Sequence, residues 1–114
     1  MSDHTEPLSG LGYHHIEEQI SRGSSLTEAQ RAHKMAEFQD KKVRWTGVVE
    51  EVDDDNMVYV DMDSLLYDVR FELAQTGALR LSKGERLTFV GVIDTIERFW
   101  WSVRVELRSV AIEE

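Results

Sequence analysis

The chain has 114 residues, 41% of them hydrophobic and 31% charged, with one Pro, seven Gly and no Cys. That length and balance predict a single folded domain with its own core, and they exclude wholesale disorder, disulfides, thiolate metal sites and cysteine nucleophiles. Thirteen Lys and Arg against 22 Asp and Glu give a formal charge of -9, which opposes non-specific attraction to phosphate backbones and anionic membranes.

Residues 1–40 carry 3 basic and 7 acidic side chains and residues 41–114 carry 10 and 15, so neither part is basic. The opening is polar, contains the single proline, Pro7, and predicts a frayed start. It has no basic, apolar leader, and no apolar run is long enough to cross a bilayer, which predicts a cytoplasmic protein without a membrane partner. Over residues 11–21, Leu11, His15, Ile16 and Ile20 recur at the helical period until Arg22-Gly23 ends it. A second helix over residues 26–39 opens on a capping box of Ser25 and Glu28, and Ala29, Ala32, Met35, Ala36 and Phe38 form its apolar side. Residues 1–40 thus read as a helical extension packed on the remainder.

At Lys41 the period changes from helical to alternating. Val43 and Trp45 precede Gly47, and the next apolar positions, Val49 and Val52, predict a glycine bulge in a bent strand. Asp53 to Asn56 is a turn, after which Val58, Val60 and Met62 point one way and Met57, Tyr59 and Asp61 the other. A third strand over residues 66–74 alternates Tyr67, Val69, Phe71 and Leu73 inward with Asp68, Arg70 and Glu72 outward. The fourth, residues 86–96, carries Leu87, Phe89 and Ile93 around Gly91. In the fifth, residues 100–112, Trp101, Val103, Val105 and Leu107 alternate with Ser102, Arg104, Glu106 and Arg108. Five strands, two interrupted by Gly, predict a mainly β fold with N-terminal helices: a small closed barrel over residues 41–114.

The residues that carry this pattern also carry a resemblance. L-T-E-A-Q at residues 26–30 leads to D-K-K-V-R-W-T-G-V-V-E-E-V at residues 40–52, and the stretch resembles the opening of bacterial OB-fold domains of the tRNA-anticodon-like group. L-R-L-S-K-G-E-R-L-T-F-V-G-V-I, residues 79–93, is similar to the turn and fourth strand of that group, and V-R-V-E-L-R-S-V-A-I resembles its last strand. The resemblance implies an OB-like five-stranded Greek-key barrel and, by fold analogy, nucleic-acid binding. Its motif positions Gly47, Lys83, Gly84 and Gly91 mark bends and turns, and no catalytic residue comes with them. In this chain the connection over residues 75–83 has room for one helical turn where many OB-folds carry a full helix, so the N-terminal helices are expected to cap the barrel.

Asp53, Asp54, Asp55, Asp61, Asp63 and Asp68 offer oxygen ligands, but Met57 and Val58 stand where a calcium loop needs a ligand and a Gly, and a solvated turn is the expectation. His14, His15 and His33 lack metal-ligand spacing and a neighbouring nucleophile, which predicts surface or packing roles. No phosphate-binding or dinucleotide glycine motif is present, and a non-enzymatic module without cofactors is expected. Consecutive Phe99, Trp100 and Trp101 must divide between two faces of a strand, so Trp100 is either exposed or covered by the N-terminal helices. Arg44, Tyr59, Arg70, Arg98, Trp100 and Arg104 are the candidate binding residues. Arg and aromatic side chains anchor protein interfaces and also stack on single-stranded nucleic acid. The excess of acidic residues ranks a protein partner first and a single strand of DNA or RNA second.

Overall fold

The computed structural model describes residues 7–21, 24–62, 67–99 and 102–113. Two helices, α1 (Tyr13–Ile20) and α2 (Glu28–Phe38), precede the strands β1 (Lys42–Val52), β2 (Met57–Asp61) and β3 (Val69–Glu72). A single helical turn, α3 (Gln75–Ala78), follows, and then β4 (Arg86–Arg98) and β5 (Val103–Glu113). The strands close in the order β1-β2-β3-β5-β4, which is an OB-like Greek-key barrel with helices at its N-terminal side. Among the described residues, no helix is long and apolar enough to span a membrane.

Alternation decides most of the core. Val43, Trp45, Val58, Val60, Phe71, Leu87, Phe89, Val103, Val105 and Leu107 point inward and are buried, and Phe71 and Phe89 meet with ring centroids 5.0 Å apart. Closure is narrow. β3 and β5 run parallel and share three residue pairs, Val69↔Val105, Arg70↔Glu106 and Phe71↔Leu107.

Gly47 does not bulge. The inward phase of Val43 and Trp45 continues through Gly47 to Val49, and the register slips between Val49 and Glu51. Gly47 is needed for space: a Cβ there would overlap Val60 Cγ1 and lie 2.9 Å from both the Asp61 carbonyl oxygen and Met62 Sδ. Gly91 does sit at an irregularity, between the β4–β5 pairs of Val90 and Val92, and a Cβ there would press on Val110 at 2.8 Å.

The helices differ from expectation in detail. In α1 the inward residues are Tyr13, Ile16 and Ile20, whereas His15 is exposed. Ile16 and Ile20 belong to the same core cluster as the barrel, so α1 covers the barrel end. The cap of α2 forms two residues later than Ser25: Thr27 Oγ1 accepts from Gln30 N at 3.1 Å and Gln30 Oε1 accepts from Thr27 N at 2.9 Å. The carboxylate of Glu28 is thereby released for Arg31 and Arg98. Of the expected apolar side only Phe38 is buried, with Met35 half-buried, and Ala29, Ala32 and Ala36 face solvent.

The third strand is shorter than expected and breaks alternation at its start. Asp68 and Val69 are both buried, so Tyr67 points outward and Asp68 inward. Hydrogen bonding makes this tolerable. Asp68 Oδ2 accepts from Met62 N at 2.9 Å, Oδ1 lies 3.2 Å from the Tyr13 hydroxyl, and that hydroxyl donates to the Val103 carbonyl. Burial, then the Asp68 carboxylate, pushes the Tyr13 phenol above its ordinary value. Tyr13 thus ties α1 to both edges of the β3–β5 closure.

Candidate functional site

The register of four strands assembles the site. Tyr59 on β2 lies opposite Arg70 on β3, Arg70 lies opposite Glu106 on β5, and Glu97 on β4 lies opposite Arg104 on β5. Period-two alternation then places Tyr59, Arg70, Glu97, Arg104 and Glu106 on one outer face. Arg70 Nη2 reaches Glu106 Oε1 at 3.2 Å and Glu97 Oε1 at 3.3 Å. Partial burial works against the Arg70 charge, but Glu106 and then Glu97 outweigh it and raise the guanidinium above its ordinary value.

Aromatic rings complete the face. Tyr67 packs edge-on against Tyr59 at 4.8 Å between centroids. The Arg104 guanidinium stacks 4.3 Å from the Tyr67 centroid and 4.4 Å from that of Phe99, which is 36% exposed. The Tyr59 hydroxyl donates to Asp53 Oδ2 at 2.9 Å, and burial together with that carboxylate raises the phenol. Beyond the end of the β3–β5 pairing, an open cleft of about 440 Å³ continues the face between Glu72, Leu73 and Ala74 on one side and Glu106 to Ser109 on the other.

Of the candidates read from sequence, Tyr59, Arg70 and Arg104 come together. Arg44 does not join them: it projects from β1, and its Nε donates to Glu113 Oε1 at 2.5 Å. Arg98 alternates away from Glu97 and bonds Glu28 of α2. Trp100 lies outside the described residues. Alternation places Tyr67 inward and the sequence places Phe99 only in an aromatic run; the reversal at Asp68 and the end of β4 bring both to Arg104. The one signal in sequence was a run of aromatics beside an Arg-bearing strand.

The acidic turn is a structural device. Asp53 Oδ1 accepts from Asp55 N at 2.9 Å and Met57 N at 3.0 Å. The Met57 amide is the main cause that holds the Asp53 carboxyl below its usual range, with the Tyr59 hydroxyl adding to it. Among the described residues, Asp53, Asp54 and Asp55 are the one group whose three ligand atoms lie within 4.8 Å of one another, and Asp53 is already engaged by the turn. The three histidines among the described residues do not converge: His14 faces Glu17, His33 faces Glu37, and His15 packs against Phe38.

Compared with known protein families and with curated proteins, the sequence matches none.

Proposed function

We propose that the protein is a non-enzymatic binding module of the OB type that holds a protein partner on the outer face formed by β2, β3, β5 and the end of β4. One observation carries the reading: the face is aromatic at its centre, and its two arginines, Arg70 and Arg104, stand among the carboxylates of Asp53, Glu97 and Glu106. Arg70 is spent on Glu97 and Glu106, and Asp53 borders Tyr59. Such a patch suits burial against a protein, where aromatic and Arg side chains anchor the interface. A phosphate backbone needs an uninterrupted basic track, and carboxylates interrupt this one.

A second reading, binding of single-stranded nucleic acid, draws support from the place of Tyr59, Arg70 and Arg104, because strands two and three of OB barrels face such ligands. Photo-crosslinking separates the two. A photoreactive phenylalanine analogue in place of Tyr59 should give a discrete protein adduct in cells, and the same analogue in place of Arg44 should not. Nucleic-acid adducts at position 59, or identical adducts at both positions, would overturn the protein reading. In vitro, single-stranded oligonucleotides should show no appreciable binding at about 0.15 M salt.

A further inference from the structure

Arg104 differs from the other arginines of the barrel surface. Arg44, Arg70, Arg98 and Arg108 each have a carboxylate oxygen within 3.4 Å. Arg86 has none among the described residues but stands exposed at the start of β4. Arg104 is half-buried, its register neighbour is Glu97, and Glu106 lies two residues along its own strand, yet both carboxylates bind Arg70 instead. Its Nε is buried without a hydrogen-bond partner.

Two rings hold the guanidinium, those of Tyr67 and Phe99. Rings stacked on a guanidinium interact with its charge, but its donors lie in the plane, so stacking leaves the in-plane N–H groups to be met by something else. A guanidinium held against two rings has already lost part of the side-chain freedom that bidentate binding costs. The planar acceptor that matches such a fork is a carboxylate. The surroundings choose between anions: Glu97, Glu106 and Asp53 border the face and would repel a chain of phosphates. A single carboxylate brings one charge to a cation that has no ion pair among the described residues, and the exposed part of the Phe99 ring offers apolar contact beside it.

We propose that Arg104, clamped between Tyr67 and Phe99, is the receptor for one carboxylate of the partner, a side-chain or C-terminal carboxylate carried next to an apolar or aromatic group. The proposal rests on the reading of this face as a protein interface and names the chemistry of the partner.

The test uses three small probes on the whole chain, followed by nuclear magnetic resonance of the arginine Nε–H and aromatic signals: N-acetyltryptophan, its amide, and thymidine monophosphate. N-Acetyltryptophan should shift the Arg104 Nε–H and the Tyr67 and Phe99 rings, and the amide should bind at least about tenfold more weakly. Arg104→Lys, which keeps the charge but loses the flat fork, should lose most of the preference for the acid while its backbone spectrum stays folded. Equal binding of acid and amide, or no response at Arg104, would overturn the carboxylate receptor and make Arg104 a packing residue. Tighter binding of the nucleotide than of N-acetyltryptophan would overturn it too. A protein adduct at position 59 together with equal binding of acid and amide would leave the interface standing and remove only the receptor.

Discussion

The two N-terminal helices hold to the protein by different means. α2, with 11 residues, has a complete capping box, Glu28 in its first turn and ion pairs from Arg31 to Glu28 and from Lys34 to Glu37, yet it buries only Phe38. α1, with eight residues, has no side-chain cap and no charge complementing its ends, yet it buries Tyr13, Ile16 and Ile20. An isolated helix of that length is marginal in water, so α1 exists because the barrel end holds it. The helix with strong local signals is lightly attached, and the one with weak local signals is part of the core. Local propensity and tertiary anchoring are separate quantities, and substitutions should separate them.

The largest effect is expected in α1. Ile16→Ala removes a fully buried side chain from the shared core and should cost about 2–5 kcal/mol, read as a fall in the denaturation midpoint. A loss comparable to a surface substitution would mean that α1 is not integral to the barrel.

Next comes Tyr13→Phe, which leaves the Asp68 carboxylate and the Val103 carbonyl short of a donor and should cost about 1–3 kcal/mol. The same variant carries a pH signature. The folded-state pKa of Tyr13 lies above its ordinary 10.0, so its contribution is complete below that pH and is lost as pH rises beyond it toward the folded value. Thermal melts should therefore show the native chain losing more stability than Tyr13→Phe in the alkaline range.

A smaller loss, about 1 kcal/mol, is expected for Thr27→Ala, because it removes the cap of a helix that contributes one buried side chain. Amide exchange should speed up in α2 while α1 is unaffected. If α1 loosens as well, the two helices form one cooperative unit.

The smallest effect belongs to Glu28→Gln. Hydrogen bonds from Arg98 and then Arg31 hold the Glu28 carboxyl below its ordinary 4.5. Its folded-state pKa is lowered, so its contribution is present above that ordinary value and is lost as pH falls through the folded one. Both the pH dependence and the contribution should fade as salt is raised, because the pair is solvent-exposed.

The sequence by itself determined the strands and most of what they bury. Alternation has a period of two, so a run such as Val103, Val105 and Leu107 states its own inward face, and Trp45, Phe71 and Phe89 are buried as alternation requires. It also marked Gly47 as special, although the reason is the nearness of Val60 on the neighbouring strand β2 and of Met62 just beyond it, and not a bulge. Helix formers and a nearby Thr or Ser located α2 to within two residues, because caps are local chemistry.

Only the tertiary structure decided what meets what. Alternation says which face of a strand a residue occupies and nothing about which strand lies beside it. The parallel pairing of β3 with β5 is therefore invisible to alternation, and with it the convergence of Tyr59, Arg70 and Arg104 and the separation of Arg44. Asp68 shows the limit most sharply. A lone acidic residue in an alternating strand reads as solvated, but a hydroxyl 55 positions earlier and the Met62 amide supply the hydrogen bonds that let it face inward, which turns Tyr67 out toward Arg104. A buried polar group is permitted by its partners, and its partners are chosen by the fold.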